Sequence, residues 1–209
     1  MENFPVYDFT FLRHGQSVGN LEERFQGQAD FALTETGRAQ AHSLAKRWKT
    51  EGQRFGLAIA SPLLRARETA EIITKRLNVP LIFDNLWLER DNGKLAGLTH
   101  AEIRLIVPDA KFYTPYESFG ETGEGDWALF LRGGQAVHSL LQRPPGKYLI
   151  VSHGGLLNMV LYSILGLSPQ ANGQGIRFRF GNTAYARFTY QPERHRWQME
   201  ALIGTTASL

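Results

Sequence analysis

The chain has 209 residues, no cysteine and a formal net charge of +3 at pH 7. This length suits a single domain over residues 1–209 that buries its own core. The lack of cysteine excludes disulfides, thiolate metal sites and a cysteine nucleophile, and it fits a cytoplasmic location. Because the charge is small and basic residues are scattered among acidic ones, we expect no nucleic-acid partner, and the lack of a signal-peptide pattern or a membrane-length apolar run predicts no membrane partner.

The first predicted strand ends in a tripeptide with distinctive chemistry. Aromatic, apolar and β-branched residues at positions 9–12 predict a buried strand, and Arg13, His14 and Gly15 follow it directly. Open α/β sheets bind ligands at the carboxyl ends of their strands, where a guanidinium suits phosphate oxygens and an imidazole can act as a nucleophile. The tripeptide alone is a weak indication, because a histidine after a strand can also be an ordinary loop residue.

The next two elements are predicted to be a loop and a helix. Residues 20–30 are polar and contain glycine, so we expect a loop that arches over the strand end and lets Asn20, Arg24 and Gln26 face a ligand. Thr34 is a candidate N-cap, since apolar residues then recur at spacings of three and four, which is the pattern of one buried helix face. These residues are Ala41, Leu44, Ala45 and Trp48.

A second strand and helix place another arginine beside the first strand end. Residues 57–60 predict a short buried strand, which Ser61 and Pro62 end as they start a helix with an apolar stripe. Arg65 falls in the first turn of this helix. The sequence therefore predicts a second guanidinium just beyond a second strand end.

The middle of the chain contains one carboxylate of interest. Residues 81–83 predict a third strand, and the loop after it carries Glu89, which follows apolar residues and is expected to be half-buried. Thr99 and Glu102 match a capping box at the start of a short helix. Residues 109–126 show no clean period and predict a long loop or insert, and long ordered loops often act as lids.

A second histidine repeats the arrangement of the first. Residues 148–151 predict a buried strand that ends in Ser152, His153 and Gly154, before a helix over residues 156–165. A histidine at a strand end, followed by glycines at a helix N-terminus, supplies an imidazole and free backbone N–H groups for an anion.

Helix and strand patterns also cover the rest of the second half. They predict a helix over residues 127–142 and strands over residues 177–180, 184–190 and 199–203. Strands that alternate with helices favour an α/β fold, here a three-layer α/β/α sandwich with a mostly parallel central sheet. In such a sheet the carboxyl ends of the parallel strands share one edge.

That edge would gather two guanidiniums, two imidazoles and one carboxylate, those of Arg13, Arg65, His14, His153 and Glu89. The cations suit a tetrahedral dianion and would stabilise negative charge on a phosphoryl group during transfer. We expect neither a metal nor another cofactor, because zinc-site spacing is absent and the arginines would repel a cation. No Walker-type glycine loop is present in the sequence, so a nucleotide-driven kinase is not favoured.

Four separated motifs resemble the phosphoglycerate mutase-like branch of the histidine phosphatase superfamily. They are Leu12-Arg13-His14-Gly15, Ser61-Pro62-Leu63-Leu64-Arg65-Ala66, Glu89 and Ser152-His153-Gly154, and they span nearly the whole chain in the family's order. By this resemblance, His14 is the nucleophile that becomes phosphohistidine, and Glu89 is the general acid. Arg13, Arg65 and His153 resemble the phosphate pocket. Supporting positions around the substrate are expected at Asn20, Gln26, Gly27, Arg90, Gly154 and Asn182.

The resemblance implies a metal-independent phosphomonoester hydrolase that acts on a small phosphorylated substrate. Glu89 would protonate the leaving oxygen and then take a proton from water. The alternative for Glu89 is a salt bridge to Arg90 or to another surface arginine.

The sequence leaves several functions open. Asn92 and Ala96 depart from the Glu-Arg-x-Tyr-Gly-x-Leu-Gln-Gly motif of glycolytic mutases, which are also typically longer, so a phosphatase is favoured over a mutase. Gln16 and Ala96 also replace glutamates common in the family, which leaves the substrate undetermined. A protein phosphohistidine or phosphotyrosine phosphatase and a non-catalytic phospholigand-binding module are further alternatives, and a homodimer is left open.

Overall fold

The strands that precede the two histidine motifs lie side by side in one six-stranded sheet. The structure is a computed structural model that describes residues 6–107 and 112–204. Its strands are β1 (Tyr7–Arg13), β2 (Leu57–Ala60), β3 (Leu81–Phe83), β4 (Lys147–Ser152), β5 (Tyr185–Gln191) and β6 (Arg196–Ile203). Their order is β3-β2-β4-β1-β5-β6. The pairs from β3 to β1 are parallel, and the β1–β5 and β5–β6 pairs are antiparallel.

Helices cover both faces of this sheet. They are α1 (Val18–Leu21), α2 (Glu35–Thr50), α3 (Leu64–Leu77), α4 (His100–Ile106), α5 (Asp126–Leu141) and α6 (Gly154–Leu165). Phe9 and Phe11 of β1 are buried in a cluster with residues of α5 and α6, whereas Leu12 faces a second cluster with residues of α2 and α3. This alternation along β1 is expected, because successive side chains of a strand point to opposite faces. The predicted three-layer α/β/α sandwich is confirmed.

Parallel register brings the carboxyl ends of three strands to one level. Arg13 lies opposite Ser152, and Ala60 lies opposite Val151. The backbone pairing continues one residue further, from His14 N to Ser152 O (3.0 Å) and from Ser61 N to Val151 O (3.0 Å). The residues that follow β1, β2 and β4 are therefore held together at one edge.

Local signals placed several elements correctly. The strands predicted over residues 57–60 and 81–83 are confirmed as β2 and β3. Thr34 caps α2 by accepting a hydrogen bond from Gly37 N (3.0 Å). The capping box of Thr99 and Glu102 is present at the start of α4. Among the described residues, no helix combines the length and apolar character that a membrane span requires.

Three predicted boundaries are wrong. Residues 177–180 are not a strand, because Phe178 pairs its backbone with the Asn158 side chain instead of with a neighbouring strand. Helix α3 begins at Leu64 and not at Ser61-Pro62, since Ser61 still pairs with β4. The first two residues of the predicted loop over 20–30 belong instead to the helical turn α1, which its own capping box stabilises.

The predicted insert over residues 109–126 ends one residue early, because Asp126 is the first residue of α5. Its first residues, 109–111, lie outside the described residues, as does Pro108, the predicted end of α4. The part from Phe112 to Gly125 runs without strand or helix, as predicted, and its role as a lid stays a prediction.

Candidate active site

A cleft of about 1230 Å³ opens at the carboxyl edge of the sheet. The predicted site residues that line it are Arg13, His14, Asn20, Gln26, Gly27, Arg65, Glu89, Arg90 and Gly154. His153 is fully buried beneath the cleft surface, and its ring centroid lies 5.1 Å from that of His14. Asn182 does not line the cleft and reaches the site through His14. The sheet therefore gathers residues that are up to 168 positions apart in the chain.

The orientation of His14 leaves one ring nitrogen with a free lone pair. Its Nδ1 lies 2.7 Å from Gly15 O, and a carbonyl oxygen can only accept, so Nδ1 carries the proton of the neutral ring. Nε2 then keeps its lone pair. Burial holds the pKa of His14 well below its ordinary value, and the Arg13 and Arg65 charges act in the same direction. The ring is therefore neutral at pH 7.

Gly15 is required where the loop passes helix α2. A Cβ on Gly15 would lie 2.6 Å from the carbonyl oxygen of Gly37, a backbone atom that cannot move aside cheaply. Gly15 N also donates to Thr69 Oγ1 (3.1 Å), which ties the loop to α3. The backbone beside His14 is thus fixed from two helices.

Arg65 is buried and Arg13 is half-buried in the site, and neither guanidinium has a carboxylate partner among the described residues. Arg65 is 1% exposed and donates to Ala29 O (3.0 Å) and Gly27 O (2.6 Å). Arg13 donates to Phe180 O (2.6 Å). The Nε of each arginine is buried and has no hydrogen-bond partner in the described part of the chain. Buried charges are normally paired, so this arrangement suits an anionic ligand.

Both guanidiniums are charged at neutral pH. Burial lowers the pKa of Arg65 to about 10, against the opposing charges of Glu89 and Asp30. Burial also lowers the pKa of Arg13, and Glu89 opposes this shift. The site therefore presents two permanent cations close to the neutral ring of His14.

His153 is held by the serine that ends β2. Its Nε2 lies 2.8 Å from Ser61 Oγ, which itself accepts from Leu63 N (3.3 Å). The hydroxyl of Ser61 keeps one hydrogen and a second lone pair, so it can serve Nε2 as donor or as acceptor. The other ring nitrogen of His153, Nδ1, is buried and has no partner among the described residues. Burial, followed by the charges of Arg65, His14 and Arg13, holds the pKa of His153 well below its ordinary value.

The Glu89 carboxylate accepts three backbone N–H groups. Oε1 accepts from Arg90 N (2.8 Å) and Leu156 N (3.0 Å), and Oε2 accepts from Gly155 N (3.0 Å). Glu89 is half-buried, as predicted. The prediction that the N–H groups at the start of α6 are free for an anion is wrong for Gly155 and Leu156, because Glu89 occupies them.

Gly155 leaves room for this contact. A Cβ at this position would lie 2.5 Å from Glu89 Oε1. The alternative of a salt bridge between Glu89 and Arg90 is also wrong, since the Arg90 side chain pairs with Asp126 and lies over the Phe119 ring.

The sequence model of the histidine phosphatase superfamily (branch 1) matches residues 9–202 of the chain. The chain belongs to this superfamily. It is similar to a protein of Yersinia enterocolitica named "Probable phosphoglycerate mutase GpmB", with 33% identity over 208 residues that cover 95% of this chain and 93% of the relative.

Solved structures of other proteins share this fold. A mycobacterial glucosyl-3-phosphoglycerate phosphatase in complex with VO3 aligns with a TM-score of 0.79 and 27% identity, covering 96% of this chain and 100% of that one. YhfR of Bacillus stearothermophilus aligns with a TM-score of 0.82 and 28% identity, covering 96% and 98%.

A polar network around the loop after β1 supports His14. Asn182 Nδ2 donates to His14 O (3.3 Å) and to Asn20 Oδ1 (3.1 Å). Ser17 Oγ lies within hydrogen-bonding distance of both Asn20 Oδ1 (3.0 Å) and Gln26 Oε1 (2.7 Å). The side-chain nitrogens of Asn20 and Gln26 make no hydrogen bond within the described chain, and both residues line the cleft.

Gly27, Gly154 and Arg24 also lie where the sequence placed them. Gly27 adopts a φ of +52° and offers its carbonyl to Arg65. Gly154 packs against the Arg13 guanidinium. Arg24 lines the cleft while paired with Glu22.

Sequence reasoning missed two parts of this site. Arg132 of α5 donates to the carbonyls of the turn that carries Glu89, and residues 176–180 form a wall of the cleft. No motif marks either feature. The pattern of residues 177–180 could have shown two arginines separated by one apolar residue, but not which way they face.

Proposed function

We propose that this protein is a phosphatase that hydrolyses phosphomonoesters through a phosphohistidine intermediate on His14. The observation that carries the proposal is the free Nε2 lone pair of a neutral His14 near two guanidiniums that lack carboxylate partners among the described residues. A nucleophile next to fixed cations suits transfer of a phosphoryl dianion, because the cations stabilise the charge on its oxygens.

The reaction follows as two displacements at phosphorus. The Nε2 lone pair of His14 forms the P–N bond while the P–O bond to the leaving group breaks, and Glu89 gives its proton to the leaving oxygen. The Glu89 carboxylate then takes a proton from water while the water oxygen bonds to phosphorus and the P–N bond breaks. Inorganic phosphate and free His14 result.

Arg13, Arg65 and His153 are the proposed holders of the phosphoryl oxygens. The Nε groups of the arginines and Nδ1 of His153 support this assignment, because they are buried polar atoms whose hydrogen-bonding capacity no described residue uses. We assign supporting roles to the positions that line or brace the pocket, which are Asn20, Gln26, Gly27, Arg90, Gly154 and Asn182. For Arg90 this role includes its pairing with Asp126, which lines the cleft as well.

Glu89 is the proposed general acid and base. Oε1 accepts two backbone N–H groups and Oε2 accepts one, so Oε2 keeps a lone pair that can hold the exchanged proton. The charge of Glu89 raises the pKa of both Arg13 and Arg65 against the effect of burial, so the carboxylate lies near the two guanidiniums.

A mutase-type transfer is the second candidate, because the Yersinia relative is named as a probable phosphoglycerate mutase. Asn92 and Ala96, which depart from the mutase motif, favour the phosphatase, and the mycobacterial neighbour is named as a phosphatase. A cytoplasmic location and a homodimer stay predictions.

The test uses chelator-treated protein and a panel of phosphorylated sugars, glycerate phosphates, nucleotides and phosphopeptides. We expect release of inorganic phosphate without metal, and an acid-labile phosphoryl adduct that mass spectrometry locates on His14. His14→Gln should lose both, whereas His42→Gln, at an exposed position of α2, should keep both. Formation of a positional isomer instead of phosphate would establish the mutase. Activity that returns only on adding metal, or an adduct that survives in His14→Gln, would contradict the proposal.

A further inference from the structure

Residues 176–180 form an extended wall segment that is anchored at every second residue. Tyr162 Oη donates to Ile176 O (2.6 Å), the Asn158 side chain bonds both Phe178 N (2.8 Å) and Phe178 O (3.0 Å), and Arg13 donates to Phe180 O (2.6 Å). The last anchor, Arg13, is one of the two guanidiniums of the proposed phosphate pocket. The wall segment is therefore fixed relative to that pocket.

The two residues between the anchors are arginines. Phe178 and Phe180 are partly or fully buried, whereas Arg177 and Arg179 are exposed and line the cleft. Neither arginine forms a salt bridge with any residue that the structure describes. The anchored backbone thus presents two unpaired cations at the mouth of the cleft.

The two carboxylates that line the cleft are already engaged. Its arginines are Arg13, Arg24, Arg65, Arg90, Arg177 and Arg179, and its carboxylates are Glu89 and Asp126. Glu89 accepts three backbone N–H groups, and Asp126 pairs with Arg90. No lining carboxylate is therefore available to neutralise Arg177 and Arg179. A cleft of about 1230 Å³ also holds far more than a phosphoryl group.

We propose that Arg177 and Arg179 form a second anion subsite, which selects phosphomonoesters that carry another negatively charged group, a carboxylate or a second phosphate, away from the phosphoryl group that is transferred. This inference rests on the proposed function for the site of transfer. Two guanidiniums on one wall can bind either group through charge-assisted hydrogen bonds.

The test compares three esters of similar size: the phosphate ester of a three-carbon hydroxy acid, the same skeleton with an alcohol in place of the carboxylate, and the corresponding bisphosphate. Wild type should prefer one or both second-anion esters over the alcohol ester in kcat/KM, mainly through KM. Arg177→Gln/Arg179→Gln should reduce that preference about tenfold or more. The ester whose preference falls in the double variant identifies the second group as carboxylate or phosphate.

The matched control is Arg194→Gln/Arg196→Gln, which removes the same charge from exposed positions at the opposite end of the sheet. It should leave the preference unchanged. The subsite would be overturned if wild type hydrolyses the esters without this preference, if the preference survives loss of Arg177 and Arg179, or if it falls equally in the control.

Binding without turnover separates this inference from the proposed function. Calorimetry of the intact esters with His14→Ala measures affinity when no phosphoryl group can be transferred to His14. The second-anion ester should bind about tenfold tighter than the alcohol ester, and adding Arg177→Gln/Arg179→Gln should remove the difference. If wild type hydrolyses no ester while this affinity pattern holds, the proposed activity is wrong and the subsite stands.

Discussion

Arg132 donates a hydrogen bond from Nη2 to the backbone carbonyl of Glu89, 3.1 Å away. Its Nη1 also donates to the carbonyls of Leu86 (3.0 Å) and Leu88 (2.7 Å), and the guanidinium pairs with both oxygens of Glu124 (2.8 and 2.6 Å). One side chain of α5 therefore uses two nitrogens to hold three carbonyls of the turn that carries Glu89, while Glu124 holds the guanidinium in place. Arg132 is a positioning residue for that carboxylate.

Replacing Arg132 should affect proton transfer more than phosphate binding. Arg132→Lys keeps the charge but cannot reach three carbonyls and a carboxylate at once. Misplacing Glu89 should slow turnover of alkyl phosphates by roughly 10- to 100-fold, with a smaller loss for aryl phosphates that have good leaving groups. The measurement is kcat for both ester types, with Arg76→Lys on the exposed side of α3 as control. Equal losses together with a lower unfolding free energy would assign Arg132 a purely structural role.

Glu89→Gln tests the proton transfer itself. An amide cannot cycle a proton, so phosphorylation by alkyl phosphates should slow by roughly 10²–10⁴-fold. The amide nitrogen would also face a backbone N–H in place of Oε1 or Oε2. The size and rate of the phosphorylation burst should be measured with matched alkyl and aryl esters. If both esters slow alike, Glu89 is not the general acid.

The two guanidiniums of the pocket should also bind free tetrahedral anions. Phosphate and vanadate are expected to compete with substrate, and Arg65→Lys should weaken both by roughly 10- to 100-fold, in line with hydrogen bonds to charged groups. The control is Arg67→Lys in the same helix, because Arg67 is exposed and lies over the Phe83 ring. Unaltered inhibition constants for Arg65→Lys would contradict this geometry.

The buried histidines should make the fold sensitive to mild acid. The pKa values of His14 and His153 are lowered in the folded state, mainly by burial, whereas in the unfolded chain a histidine titrates near about 6.5. As the pH falls through that value, the unfolded state binds protons first, so the unfolding free energy decreases. The decrease is up to about 1.4 kcal/mol per pH unit for each histidine and continues until the folded-state pKa is reached.

Urea unfolding between pH 8 and pH 5, in buffers without phosphate, measures this slope. His14→Gln and His153→Gln should each flatten it, while exposed His42→Gln should leave it in place. A slope that neither buried-site variant changes would mean that other groups control acid unfolding.

Much of the site could be predicted because strand ends in a parallel sheet share an edge. Arg13, His14 and His153 directly follow buried strands whose composition is distinctive, so their meeting follows from the fold class. Arg65 was placed by the strand before its helix, although that helix begins later than predicted. These positions depend on local pattern and on topology alone.

The rest depends on contacts between distant side chains and backbone. Arg132 lies in α5. The spacing of apolar residues predicts that helix, but it does not predict which groups the Arg132 guanidinium contacts. The sequence predicts free N–H groups at Gly155 and Leu156, because they lie at the start of a helix. In the structure these groups donate to Glu89, which comes from another loop. Residues around Phe178 alternate as a strand would, yet their backbone partners are the side chains of α6.

The position of β1 inside the sheet has a consequence for synthesis on the ribosome. β1 pairs only with β4, which begins at Lys147, and with β5, which begins at Tyr185, among the described strands. At translation rates of about 5–20 residues per second, the nascent chain carries Phe9 and Phe11 without either neighbouring strand for on the order of ten seconds. During that interval an aromatic strand with two unpaired edges is open to pairing with other chains. His14, the proposed nucleophile, thus follows the strand that waits longest for its partners. The need for chaperones should be highest before β4 emerges from the ribosome.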